Sequence, residues 1–366
     1  MFSAVFADLG AGAVDLTLSA GSGSGTFTRN TVAWTKLSTG LWASVASGTA
    51  RSCYLGADTT VGAYGGYFAE AAGTQLVTPT ASIRDMTDAS WVKVTTTVAK
   101  TATGIDGGAN SASTLTATGA TSTVLQTLSA AASSRTFSAF VRRKTGTGTV
   151  FIQQGATQVD ITASINSSTY TRVSVTASIL NSAFGFQINT SGDAIEVDFN
   201  QFEAGTDATS PMASAGVSRS QDSLQYVAAG NISDAVGTCV VTATSPYSQQ
   251  AQVVTPSSGS SFVIAKFTGA TTSSAAMFDG TQNPHTANTT SWAANVKVAS
   301  SWGGTTMGIC LNAGTVVSAA YGGSFGFSGV NIMVGHTGSG QQNGTIKNLL
   351  IYNFQATNAQ LQTFTT

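Results

Sequence analysis

The chain has 366 residues, enough for two or three domains of ordinary size, and 42% of them are hydrophobic, which is ample material for packed cores. Charged residues make up only 8%, against about 25% in an ordinary soluble protein, and the formal net charge is −1. That balance excludes a binder of nucleic-acid backbones, which needs a continuous basic face; the one basic cluster, Arg142-Arg143-Lys144, reads as a solvated turn.

In chain order, residues 1–20 begin MFSAVFADLG, with neither a basic start nor a long apolar run, so no export signal is read there. No stretch approaches the roughly 20 apolar residues of a membrane span. Short β-type runs and glycine turns continue to Pro79, and a boundary is placed near residue 85, before Asp85-Met86-Thr87-Asp88. Strands are expected next at 136–142 (TFSAFVR), 149–153 (TVFIQ), 170–176 (YTRVSVT), 183–189 (AFGFQIN) and 194–202 (AIEVDFNQF), each a β-branched or aromatic run between turn residues. In the last, Ile195, Val197 and Phe199 alternate with Glu196, Asp198 and Asn200, which predicts one face packed inward and the other in water. A second boundary falls near residue 225, after the turn-rich stretch around Pro211 and Gly216. Beyond it strands are expected at 261–267, 294–299, 330–334 and 346–352. Helical periodicity is almost absent. The fold class is all-β, built as tandem antiparallel β-sandwiches.

Little in this chain is suited to making or breaking bonds. Of the 16 acidic residues only Asp234 and Asp279 lie beyond the second boundary, widely separated, whereas a glycosidase needs two carboxylates facing one bond. The two histidines, His285 and His336, have no nucleophile elbow beside them; Gly338-Ser339-Gly340 lacks the full G-x-S-x-G spacing. Three cysteines, Cys53, Cys239 and Cys310, give neither a disulfide framework nor a metal cluster and read as small buried apolar groups. The one acidic cluster is Asp193, Glu196 and Asp198, with Glu203 nearby. Its chemistry suits a structural calcium; the plainer alternative is a solvated strand face with Glu203 or Glu196 paired to Arg172. The polar loop holding Asp279, Asn283 and His285, with Trp292 just beyond, is the candidate carbohydrate-binding edge, although Trp292 reads equally as a core residue. Trp302 and Phe327 are assigned to the core.

Several motifs in order resemble the tail and appendage structural proteins of tailed bacteriophages. In the first 84 residues these are Phe27-Thr28-Arg29-Asn30-Thr31, Gly40-Leu41, Arg51-Ser52-Cys53-Tyr54, Gly65-Gly66-Tyr67-Phe68-Ala69-Glu70 and Thr74-Gln75-Leu76-Val77. Gln75 stands where that pattern has Asn, and Ala50 where it has Pro. Residues 85–224 resemble a carbohydrate-binding-module-like jelly roll, through Trp91, Tyr170-Thr171-Arg172-Val173-Ser174, Phe202-Glu203-Ala204-Gly205, Thr209-Ser210-Pro211 and Arg219. Residues 225–366 resemble a concanavalin/laminin-G-like sandwich, through Val298-Ala299-Ser300-Ser301-Trp302, Leu311-Asn312-Ala313-Gly314, Val334-Gly335, 344–353 and Ala359-Gln360-Leu361-Gln362.

The resemblance implies a non-enzymatic virion structural protein of a tail fibre, baseplate periphery or particle surface, made in the host cytoplasm. Residues 1–84 would be an attachment or oligomerisation segment. Sparse charge fits that setting, since it leaves little repulsion between copies. The expected partners are other virion proteins, further copies of the chain (a homotrimer by default) and a host-surface glycan, with no nucleic acid, membrane insertion or cofactor apart from the calcium considered above. A lectin-like adhesin is the alternative, and a capsule depolymerase a more remote one.

Overall fold

The computed structural model describes residues 1–11, 13–54, 64–216, 218–245, 250–268, 273–287, 290–332 and 344–366. The chain is all-β, and its sheets are antiparallel. All strands of the middle sandwich lie between Val92 and Ala204. One of its two five-stranded sheets runs, in spatial order, Val92–Val94, Ser122–Thr127, Ala183–Ile188, Val150–Gln154 and Thr157–Asp160. The other runs Thr96–Ala102, Ala112–Ala117, Ala194–Ala204, Ser134–Thr145 and Thr171–Ser178. Aromatic side chains fill the space between them: Phe184 stacks on Phe202 at 4.3 Å, and Phe137 packs on Phe184 and Phe186 at 5.0 and 5.6 Å. Trp91 closes this core and donates its indole N–H to the Ser82 carbonyl.

The segments before and after this sandwich are joined in one 11-stranded sheet. Phe2–Val5 pairs with Gly344–Tyr352, and Tyr64–Ala69 pairs with the start of that same strand. Close approach is possible there because Gly66, at φ +97°, has no side chain; a Cβ would lie 2.1 Å from the Ile346 carbonyl oxygen. A six-stranded sheet faces it, running from Ser273–Phe278 to Thr26–Thr28, so it too combines strands from both ends of the chain. Phe2, Tyr67, Tyr226, Trp292 and Trp302 share the core between the two. Trp302 is buried there, with Phe327 packed against it, as expected. The described cysteines are free and buried.

Two elements escape the expected pattern. Asn358–Phe364 is an α-helix, started by a capping box in which Thr357 and Gln360 bond each other's backbone N–H. It lays Leu361 onto the outer face of the large sheet beside Val240, Ala299 and Cys310. The strand Ala194–Ala204 has no solvated face, because residues 194–203 are all buried. Its register against Ser134–Thr145 slips between Ser138 and Phe140, so that Phe199 and Asn200 stand opposite Ala139 alone. Phe199 occupies φ +47°, and this bulge breaks the alternation. Phe199 lies against Trp34, 4.7 Å away, instead of continuing the inward face set by Ile195 and Val197. Trp34 belongs to the hairpin Ala33–Lys36/Trp42–Val45, which covers the sheet and removes the water the polar face was expected to meet.

Candidate functional site

The sequence motifs converge first on a buried ionic joint. Asp222 accepts from Arg29 Nη1 at 2.8 Å, from Arg51 Nη2 and from the Glu70 N–H at 2.9 Å. Glu70 accepts from Arg51 Nη1 at 2.9 Å, from the Ser210 N–H at 2.6 Å and from the Ser210 hydroxyl. Arg219 lies 3.6 Å from Glu70 and donates to the Thr209 hydroxyl at 3.1 Å. The side chains of Arg29, Arg51, Glu70 and Asp222 have no solvent exposure. Burial alone would raise the Glu70 carboxyl, but Arg219, Arg51 and Ser210 outweigh it and hold the pKa at about 2. With every carboxylate engaged and its side chains shut off from solvent, this network is a structural fastener.

The acidic cluster is not a calcium cage. Each carboxylate is taken by a different arginine: Asp193 by Arg143 at 3.4 Å, Glu196 by Arg142, and Asp198 by Arg84 through two bonds of 2.7 and 2.8 Å. Among the described residues no group of three metal-ligating side chains comes together. At Asp198 a guanidinium stands where a cation was expected, and it bridges to Asp106 at 2.8 and 2.9 Å. Glu203 binds Thr209 and Gln201, and Arg172 donates to the Ser138 hydroxyl.

The expected glycan edge also changes character. Trp292 is 2% exposed and lies in the core of the large sandwich, where it offers no face to a sugar. Asp279 is buried and caps a turn, accepting N–H bonds from Thr281, Gln282 and Gly322. His285 is half-buried with its ring 4.4 Å from Phe267, and burial lowers its pKa. Asn283 alone of the four is exposed. His336, Val334-Gly335 and the Gly338-Ser339-Gly340 segment lie outside the described residues.

A cleft of about 320 Å³ lies elsewhere, between the N-terminal hairpin and the middle sandwich. Leu41 and Trp42 come from the hairpin, Ile105 and Gly107 from one loop, Tyr170 from another, and Phe140 and Arg142 from the strand beneath. Trp42 packs edge-on against Phe140 at 5.4 Å, and its backbone N–H bonds the Ile105 carbonyl at 3.0 Å. Asp198 reaches the site indirectly: it accepts the Ile105 N–H at 2.9 Å, and with Arg84 and Asp106 it pins the 103–108 loop. Burial pushes the Tyr170 phenol up, so it stays neutral and donates to the Thr103 carbonyl at 2.8 Å. The Arg142 guanidinium lies 4.6 Å over the Tyr170 ring. Half-buried aromatics beside a few polar groups form the usual chemistry of a small-ligand site. The sequence carried motifs at Gly40-Leu41 and Tyr170, but Arg142 was read as part of a solvated turn, whereas it lies on the strand Ser134–Thr145 paired with Glu196, and nothing in the sequence shows that these residues meet.

Comparison with protein-family models gives no match, and comparison with curated sequences gives none at a significant level. Among solved structures, the chain is similar to the CBM40 module of the Ruminococcus gnavus IT-sialidase bound to α2,3-sialyllactose. The identity is 12% and the TM-score 0.31, over 36% of this chain and 85% of that one. It is similar to the Trypanosoma rangeli sialidase at 12% identity and a TM-score of 0.29, over 39% of this chain and 26% of that one. A third likeness is to the CBM22-1-CBM22-2 tandem of Paenibacillus barcinonensis Xyn10C, at 11% identity and a TM-score of 0.27, covering 78% and 99% of the two chains. These likenesses are distant, and the fold stands on the strand pairing itself.

Proposed function

We propose that the chain is a non-catalytic saccharide-binding protein of a bacteriophage particle, and that the cleft under the N-terminal hairpin is its binding site. The observation that carries the binding reading is that cleft: half-buried Trp42 and Tyr170 beside Arg142, with no Asp or Glu in the lining. Aromatic rings offer flat apolar faces to a sugar ring, and backbone groups with Arg142 offer bonds to its oxygens. A lining without carboxylates fits holding a saccharide and gives no acid–base pair for hydrolysis. The test is glycan-array and saturation-transfer NMR binding by the full chain and by Tyr170→Ala, with circular dichroism as the folding control. Binding by the wild type and at least tenfold weaker binding by the variant are expected; equal binding by the two, or none by either, overturns the reading.

The particle setting is supported by the ordered motifs, since their residues Arg29, Arg51, Glu70, Ser210 and Arg219, scattered across nearly 200 residues, meet with Asp222 in one buried joint. Sheets that combine both ends of the chain would give a fibre or decoration protein a stiff body, with three copies as the expected assembly. Mass spectrometry and antibody labelling of purified particles test this, and particles lacking the chain refute it.

A further inference from the structure

The apolar walls of the cleft would accept many sugars, so the class of ligand is set by its polar groups. Arg142 is the one charged side chain in the lining. Its Nε is bound by Glu196, and its plane is held over the Tyr170 ring. Its two terminal amino groups, Nη1 and Nη2, make no hydrogen bond with a described residue. The indole Nε1–H of half-buried Trp42 has no described partner either. Glu196 is shared between two cations, Arg142 and Lys144, the latter at 3.5 Å, so it does not belong to Arg142 alone. A site furnished with an arginine, unused donors and no carboxylate in its lining calls for a ligand that brings its own negative acceptors.

We propose that the cleft takes a saccharide carrying a carboxylate, a hexuronic acid residue, with the carboxylate against the open edge of the Arg142 guanidinium. This rests on the reading of the cleft as a saccharide site. Two parallel N–H groups match the two oxygens of a carboxylate, and the Glu196 and Tyr170 contacts hold that fork in place before the ligand arrives. Lysine offers a point charge without the fork and does not replace it.

The test uses the full chain and sugar pairs that differ only at C6: methyl glucuronide against methyl glucoside, and methyl galacturonide against methyl galactoside, titrated by saturation-transfer NMR. For at least one pair the acid binds roughly tenfold or more tightly than its neutral partner, and the gap narrows at high salt. Arg142→Gln abolishes the gap, and Arg142→Lys restores only part of it. If acid and neutral members bind alike, the carboxylate assignment fails while the saccharide reading stands. If no member of either pair binds and the array is also blank, both fail. The wild-type comparison decides the matter even where an Arg142 variant does not fold.

Discussion

Replacing Asp222 by asparagine removes the charge that holds the joint together. Asp222 neutralises Arg29 at 2.8 Å and Arg51, and it also accepts the Glu70 N–H at 2.9 Å, with no solvent access to any of the three side chains. Asparagine keeps one acceptor oxygen and turns an amide N–H₂ toward a guanidinium, so donor faces donor. Breaking a buried pair from one side costs about 3–5 kcal/mol, because the partner charge stays in a dry site. Arg51 retains Glu70 at 2.9 Å, and Arg29 still donates to the Thr31, Val45 and Ala46 carbonyls, which places the cost at the lower end, ~3 kcal/mol. Asp106→Asn is the matched control. Its pair with Arg84 is about one-fifth exposed on both sides, and Arg84 keeps Asp198, so it costs about 1 kcal/mol or less. Urea titrations followed by tryptophan fluorescence and far-ultraviolet circular dichroism measure both, with the m-value checked for a change of cooperativity. Equal midpoints for the two variants, or an Asp222→Asn loss below about 1 kcal/mol, would refute the assignment of the joint as the main electrostatic fastener.

Acid acts on the same joint. The Glu70 pKa is depressed from 4.5 to about 2 on folding, so its contribution is fully present above pH 4.5 and disappears as the pH falls toward 2; stability measured across that window should drop, and drop less in Glu70→Gln. Trp292→Ala should destabilise the large sandwich by about 3–5 kcal/mol, whereas Trp292→Phe, which gives up an indole N–H that has no partner among the described residues, should cost about half of that; glycan binding by the folded Phe variant should equal wild type. Gly66→Ala meets both a positive φ and the Ile346 carbonyl, and a loss of at least ~2 kcal/mol in the urea midpoint is expected, a neutral result ruling out the observed strand pairing. Asp198→Asn should weaken saccharide affinity through the 103–108 loop and leave the selectivity for acid over neutral sugars unchanged; a change in that selectivity would place Asp198 in contact with ligand.

The fold class was legible because strand-forming residues are local signals: the run at 136–142 lies inside Ser134–Thr145, and 183–189 matches Ala183–Ile188 almost to the residue. Alternation failed where a non-local event intervened. Nothing in Ala-Ile-Glu-Val-Asp-Phe announces a bulge at Phe199, and nothing local reveals that a hairpin 160 residues earlier will cover the polar face. The carboxylates at 193, 196 and 198 were read from spacing alone, which cannot show that Arg143, Arg142 and Arg84 reach them first. Trp292 was ambiguous between core and surface because a tryptophan preceded by polar residues looks the same in either place. The helix at the C-terminus was marked by Thr357 and Gln360, but seven residues are too few for a periodic signal.

A chain with 15 basic and 16 acidic residues places many of them where solvent cannot reach. Buried Arg29, Arg51, Glu70, Arg219 and Asp222 fasten the joint, and buried Asp198 with the partly exposed Arg84 and Asp106 fastens the loop beside the cleft. Such charges are costly to bury, and one benefit of their geometry is specificity of docking, since an arginine fork accepts few misaligned partners where apolar faces accept many. The consequence reaches the cleft, whose walls come from a hairpin in the first 45 residues and from loops and a strand of the middle sandwich. Its shape exists only while the hairpin is held in register, by Trp34 and Trp42 on the sheet and by Arg29 and Arg51 at the hairpin's base, where they bond the carbonyls of Val45 and Trp34. Damage to the buried joint should therefore loosen ligand binding without touching any residue that meets the ligand. In Asp222→Asn, affinity should fall under conditions where the fold persists, while the preference between acidic and neutral sugars, set by Arg142, survives.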